Sequence, residues 1–162
     1  MIIVSDTSPI TNLAAIGQLD LLRQLYGSVI IPEAVYNEMV GVNKIVPGAV
    51  EVQTLSWIQT QTVINSLQVT EIQENNESIH LGEAEAIILS LEMKADLLLM
   101  DERRGRIVAT NYGINVIGLL GVLLQAKKQG LIPVIKLYGC SFNRLIQITR
   151  VKFARNTTQH FK

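Results

Sequence analysis

Ile2-Ile3-Val4-Ser5-Asp6-Thr7-Ser8-Pro9 is the stretch on which the fold turns. Ile2 to Ser5 is a short, largely β-branched run with the composition of a buried strand, and it ends on a carboxylate. Ser8 is a good helix N-cap and Pro9 suits the first helical position, so a helix is expected directly after the strand. Ile10, Leu13, Ala14 and Ile16 continue at helical spacing until Gly17. The same grammar returns at Leu97-Leu98-Leu99-Met100-Asp101, where four apolar residues meet an acid and a helix is expected over Arg103–Tyr112.

The rest of the chain fills in around these two units. Leu19–Tyr26 reads as a helix stopped by Gly27, Val29–Ile31 as a strand, and Pro32 opens a helix running to about Met39. Between Val42 and Asn76 the pattern is weakest, with a short helix near Ala49–Ser56, a strand near Trp57–Val63 and then a polar loop. Gly82–Lys94 is the clearest helix, with Ala84, Ile87, Ile88 and Leu91 as its apolar stripe. Val116-Ile117 reads as a strand, and Leu119–Gln129 as a helix ended by Gly130. Strands alternating with helices predict one α/β domain, a three-layer α/β/α arrangement with a mainly parallel sheet. Asp6 and Asp101 then both lie beyond the carboxyl ends of buried strands, the edge at which open sheets bind ligands.

Composition narrows the functional class. The chain has 162 residues, 48% of them apolar and 17% charged, which excludes a disordered polymer. Its single cysteine, Cys140, has no intramolecular disulfide partner, and no Cys/His spacing points to zinc. The N-terminal residues lack the basic region of a signal peptide, and the apolar stretch Ile114–Leu124 is too short to span a bilayer. A cytoplasmic protein without a membrane role is expected. Net charge is zero, yet all 14 acidic residues lie at or before Glu102, while 11 of the 14 basic residues follow it. Such segregation suits an acidic centre beside a nucleic-acid surface, unless folding pairs the two halves.

Four acids are candidates for the centre. Asp6 has a bland alternative as a turn or capping residue, but Ser8 is the better cap. Asp101 has a stronger alternative as the N-cap of the helix after it. Glu83 and Glu85 are first-turn acids favoured by the helix dipole, and two residues apart they diverge, so only one can aim at a common site. Glu38 is otherwise an ordinary surface acid, with Glu33 as competitor, and Glu102 reads as a solvated first-turn acid. Clustered carboxylates raise one another's pKa and call for a hard cation such as Mg²⁺, which can activate water for attack on phosphate. His80 and His160, the two histidines, offer no serine or cysteine triad; His80 reads as a loop residue.

Taken together, these segments resemble the PIN-domain family, in particular its small prokaryotic members. Ile2–Pro9 resembles the first family motif, Ile30–Glu38 the second, Leu81–Ile87 the third, and Leu97–Asp101 with Glu102-Arg103-Arg104-Gly105-Arg106 the fourth. The resemblance implies catalytic roles for Asp6, Glu38, Glu83 and Asp101, with Asp6, Glu83 and Asp101 as metal ligands. Family spacing favours Glu83, eighteen residues before Asp101, and leaves Glu85 in support. By the same likeness Thr7 or Ser8 hydrogen-bonds a ligand carboxylate or a bound water. The family's usual activity implies Mg²⁺- or Mn²⁺-dependent endonucleolytic cleavage of single-stranded RNA. Many small members are toxins held by a small antitoxin, and many form homodimers.

The likeness covers residues 1–135, and residues 136–162 read as a divergent C-terminal extension of the same domain ending in a polar tail. Arg103, Arg104 and Arg106 stand where an RNA backbone would pass, though exposed arginines on a helix need no such role. Two other readings stay open: a PIN-like nucleic-acid-binding module with little or no catalysis, and a phosphotransfer domain using Asp6 as nucleophile. The latter expects a second acid two residues on, where this chain has Ser8.

Overall fold

The computed structural model describes residues 1–41 and 46–132, and the backbone of 136–137 and 146–147. Five strands, β1 (Ile3–Ser5), β2 (Val29–Pro32), β3 (Ile58–Gln61), β4 (Leu97–Leu99) and β5 (Val116–Ile117), form a sheet in the order β3-β2-β1-β4-β5. Every neighbouring pair in it is parallel. The chain therefore builds outward from β1 on one side, then returns to lay β4 on the other. The gap between the carboxyl ends of β1 and β4 is the topological switch point.

Among the described residues, eight helices cover the sheet: α1 (Thr7–Ala15), α2 (Asp20–Tyr26), α3 (Glu33–Val40), α4 (Ala49–Thr54), α5 (Ser66–Asn75), α6 (Leu81–Glu92), α7 (Arg103–Asn111) and α8 (Leu119–Lys128). Alternation along the strands divides the core in two. Ile3, Val29, Ile31 and Leu99 face a cluster with Ile10, Leu13, Leu22, Val122 and Leu123 from α1, α2 and α8. Val4, Leu98 and Met100 face the other, with Ile72, Ile87, Ile88 and Ala109 from α5, α6 and α7. Strands buried on both faces explain the unbroken apolar runs at Ile3-Val4 and Leu98-Leu99-Met100. The expected three-layer α/β/α architecture is present, with a wholly parallel main sheet. Beyond it, β6 (Lys136–Leu137) and β7 (Ile146–Gln147) pair antiparallel. Cys140, His160 and most of the expected extension lie outside the described residues.

Two local expectations need correction. Helix α1 starts at Thr7, so Asp6 and not Ser8 holds the N-cap position, and Pro9 is the third helical residue. A first-turn residue has no intrahelical partner for its N–H, so proline fits there as well as at the first position. The segment expected as a polar loop before Asn76 contains α5. Asn65 Oδ1 accepts the Gln68 N–H at 3.2 Å, and Val69 and Ile72, three residues apart, are buried against α6. Two buried side chains among ten residues give too thin a stripe to read, and the packing partner decides it. His80 lies in the loop before α6, as expected, and holds that helix's N-cap position.

Candidate metal-ligating site

The parallel register sets the strand-end acids side by side. Ser5 is level with Leu99, and the Asp6 N–H donates to the Leu99 carbonyl at 2.9 Å. Asp6 is 4% exposed, and burial is the main reason its pKa rises to about 7. The backbone amides of Thr7 and Ser8 oppose that shift, and the carboxylates of Glu83 and Glu38 reinforce it. Buried beside like charge, Asp6 ionises only at a cost in stability.

Glu83 comes to the same place from the first turn of α6. It is 5% exposed. Its Oε2 accepts the His80 N–H at 2.9 Å, closing the helix end as a capping acid does, while Oε1 is buried with no hydrogen-bond partner. Burial, together with Glu102 and Glu38, raises its pKa. Glu102, which reads in the sequence as a solvated bystander, is thus near enough to press on Glu83.

Glu38 is exposed on α3, and its Oε2 accepts the Thr7 hydroxyl at 2.6 Å. Of the two hydroxyl residues expected in support, Thr7 braces a carboxylate. The Ser8 carbonyl accepts the Thr11 hydroxyl at 3.1 Å, a bond internal to α1. Glu85 turns away from Glu83, as two positions on a helix require, and its Oε2 accepts the Ala34 N–H at 2.9 Å. It caps α3 from a neighbouring helix, and so helps set the helix that carries Glu38.

Asp101 is placed differently. It is half-buried, its Oδ1 accepts the Leu119 N–H at 2.6 Å and its Oδ2 accepts the Asn12 amide at 3.4 Å. The cap anticipated for it is real but belongs to α8, not to α7, whose N-cap position is held by Glu102. Glu83 and Glu38 both bear on Asp6, and Glu38 also bears on Glu83. The four acids therefore fall into a tight set of Asp6, Glu38 and Glu83, with Asp101 across the switch point.

Three glycines keep the site open. A Cβ at Gly82 would lie 3.3 Å from Glu38 Oε2 and 3.8 Å from Asp6 Oδ1; one at Gly105 would lie 3.1 Å from Glu83 Oε1. At Gly118 it would come within 2.6 Å of Asp101 Oδ1 and 3.6 Å of Arg106 Nη1. Local sequence assigns these glycines and Asn12 no place at the acids. The available signal is a glycine beside an acid in Leu81-Gly82-Glu83, and Gly118 set between an apolar strand and a helix.

Arg103, Arg104 and Arg106 are all exposed, and Arg104 and Arg106 meet different surroundings. Arg106 borders Gly118 and the Asp101 carboxylate, whereas Arg104 lines a shallow groove with Asn76, Ser78 and Ile107. Among the described residues the ion pair present is Arg23–Asp20, within the acidic part of the chain. Among those residues the two halves of the charge pattern do not pair with each other.

A family model described as DUF3368, PIN domain, matches residues 2–150. The chain belongs to this PIN-domain family. The match spans the switch-point acids and runs past the main sheet to include β6 and β7. Among solved structures, this PIN domain is similar to a PilT N-terminus domain protein from the hyperthermophilic archaeon Sulfolobus solfataricus P2. That likeness has a TM-score of 0.58 and 16% identity, and covers 78% of this chain and 93% of the other. At that identity it bears on the fold alone. No curated protein matches. PIN domains are generally nucleases that use divalent metals.

The residues can be tested against such a cation by their own chemistry. Oxygen donors, like charges crowded at Asp6, and an unpartnered buried oxygen on Glu83 all suit a hard divalent ion. Among the described residues, no three His, Cys, Asp or Glu side chains already stand in a ligating arrangement. The donor types fit such an ion. No described helix is long and apolar enough to cross a membrane.

Proposed function

We propose that this PIN domain is a Mg²⁺- or Mn²⁺-dependent endoribonuclease acting on single-stranded RNA. The observation that carries the reading is the buried acid pair: Asp6 beside Glu83, with Glu83 Oε1 left without any partner. Burying two acids this way costs stability unless a ligand repays it. Asp6 and Glu83 would hold the cation, with Glu38 at its exposed side and Asp101 facing it across the switch point. A bound Mg²⁺ or Mn²⁺ supplies Lewis acidity at a phosphate oxygen and lowers the pKa of water.

The chain's own groups then have distinct tasks. Thr7 holds Glu38 in place, Glu85 anchors the start of α3, and Leu119 with Asn12 orients Asp101. Arg106, at the Asp101 edge, is the arginine best placed to meet a backbone phosphate. A cytoplasmic toxin restrained by a small antitoxin protein, and a homodimer, belong to the same reading through the family likeness.

The test is cleavage of single-stranded RNA with Mn²⁺, for the wild type and for Asp6→Asn and Glu83→Gln. Wild-type cleavage that needs the metal and falls to background in both variants supports the reading, while undiminished cleavage in the variants overturns it. The second reading, a nucleic-acid-binding module without catalysis, is favoured by one observation: among the described residues no three acids stand in a ligating arrangement. RNA binding with no cleavage and no metal uptake is the result that selects it.

A further inference from the structure

Helix α1 begins at one strand-end acid and reaches the other. Thr7, in its first turn, donates to Glu38 on one side of the switch point. Asn12, five residues on, donates its amide to Asp101 Oδ2 on the opposite side at 3.4 Å. Asn12 is an exposed polar residue next to Leu13, whose side chain is fully buried in the α1–α8 core, so the helix backbone behind the amide is firmly seated. Asp101 otherwise has one anchor, the 2.6 Å bond from the Leu119 N–H to Oδ1. A carboxylate held at one oxygen can still swing about its Cβ–Cγ bond, whereas a donor at each oxygen fixes its plane.

We propose that Asn12 is a positioning residue for Asp101, setting the plane in which that carboxylate meets a divalent cation. This rests on the metal-dependent reading above. Leu119 fixes Oδ1 through the backbone and is insensitive to side-chain substitution, so Asn12 is the adjustable half of the clamp. Each donor bond also leaves its oxygen a second lone pair, so the clamp and a cation are compatible. At 3.4 Å the bond is long for an amide and carboxylate. Its contribution to folding is small, and its effect is on direction.

The experiment measures Mn²⁺ binding by the loss of the free-ion electron paramagnetic resonance signal, alongside RNA cleavage, for wild type, Asn12→Ala, Asn12→Gln, Asp101→Asn and the Asn12→Ala/Asp101→Asn double variant. Asn12→Ala is expected to weaken Mn²⁺ about tenfold with an unchanged melting temperature, the range typical of groups that orient metal ligands. Asn12→Gln should recover part of the loss, because the site is open enough for the longer amide. In the Asp101→Asn background, Asn12→Ala should have no further effect, a result that a merely structural role would not produce. Wild-type Mn²⁺ binding left within twofold by Asn12→Ala, or equal losses in both backgrounds, overturns the inference while leaving the metal reading intact. No Mn²⁺ binding by the wild type overturns both.

Discussion

The two sides of the switch point solve the same problem in opposite ways. On the β1 side, Asp6 and Glu83 are buried together, Glu38 presses on both, and Glu83 Oε1 has no partner. On the β4 side, Asp101 is half-buried and has a donor at each oxygen. One side stores electrostatic cost and the other is already satisfied. The contrast separates groups that a cation would stabilise from a group whose place is set before any cation arrives. It also shows why a carboxylate count alone is a poor description of such a site.

The largest expected effect comes from relieving the costly side. Asp6 titrates near 4 when unfolded and at about 7 in the folded protein, chiefly because it is buried. Below the lower value it is protonated in both states and imposes no penalty. Between the two, the unfolded chain sheds its proton first, so stability falls as pH rises, and above about 7 the loss is complete. In the presence of a chelator, Asp6→Asn should remove that slope and stabilise the protein at pH 8 by roughly 2–4 kcal/mol. Thermal melts at pH 5 and pH 8 read this directly. Equal slopes in the wild type and the variant would erase the contrast between the two sides, whereas millimolar Mn²⁺ should flatten the wild-type slope and sharpen it.

A smaller effect is expected from disturbing the satisfied side. Gly118→Ala places a methyl 2.6 Å from Asp101 Oδ1, too close to be accepted without moving the carboxylate or the turn. The Leu119 bond is then strained or lost, costing about 1–3 kcal/mol, measurable by urea denaturation. An unchanged midpoint would mean that Asp101 is not held as tightly as its two donors imply. The smallest effect belongs to Glu85→Ala, which removes the acceptor at the start of α3 and should cost about 1 kcal/mol. Because Glu85 lies outside the acid cluster, Mn²⁺ affinity should change far less than in Glu83→Gln. Equal losses in the two variants would move Glu85 into the site.

Much of this was legible before folding was considered. The buried strands at Ile2–Ser5 and Leu97–Met100, each meeting an acid, carried the α/β class and placed Asp6 and Asp101 at one sheet edge. The divergence of Glu83 and Glu85 also followed from helical geometry, and the structure sends them to different partners. Less legible were α5, whose apolar stripe has two buried residues, and the cap at the first helix, where Ser8 gave a stronger local signal than Asp6. Asn12 was invisible because its partner lies 89 positions away.

Local order along the chain is enough to specify strands, helices and the acids at their junctions, because periodicity and capping chemistry act over a few residues. Tertiary structure alone decided which acids share a low-dielectric space and which find donors. Burial and hydrogen bonding are properties of the assembled sheet edge, where β1 and β4, distant in sequence, lie in register. That juxtaposition makes Asp6 costly and Asp101 comfortable, although each follows its strand in nearly the same sequence context.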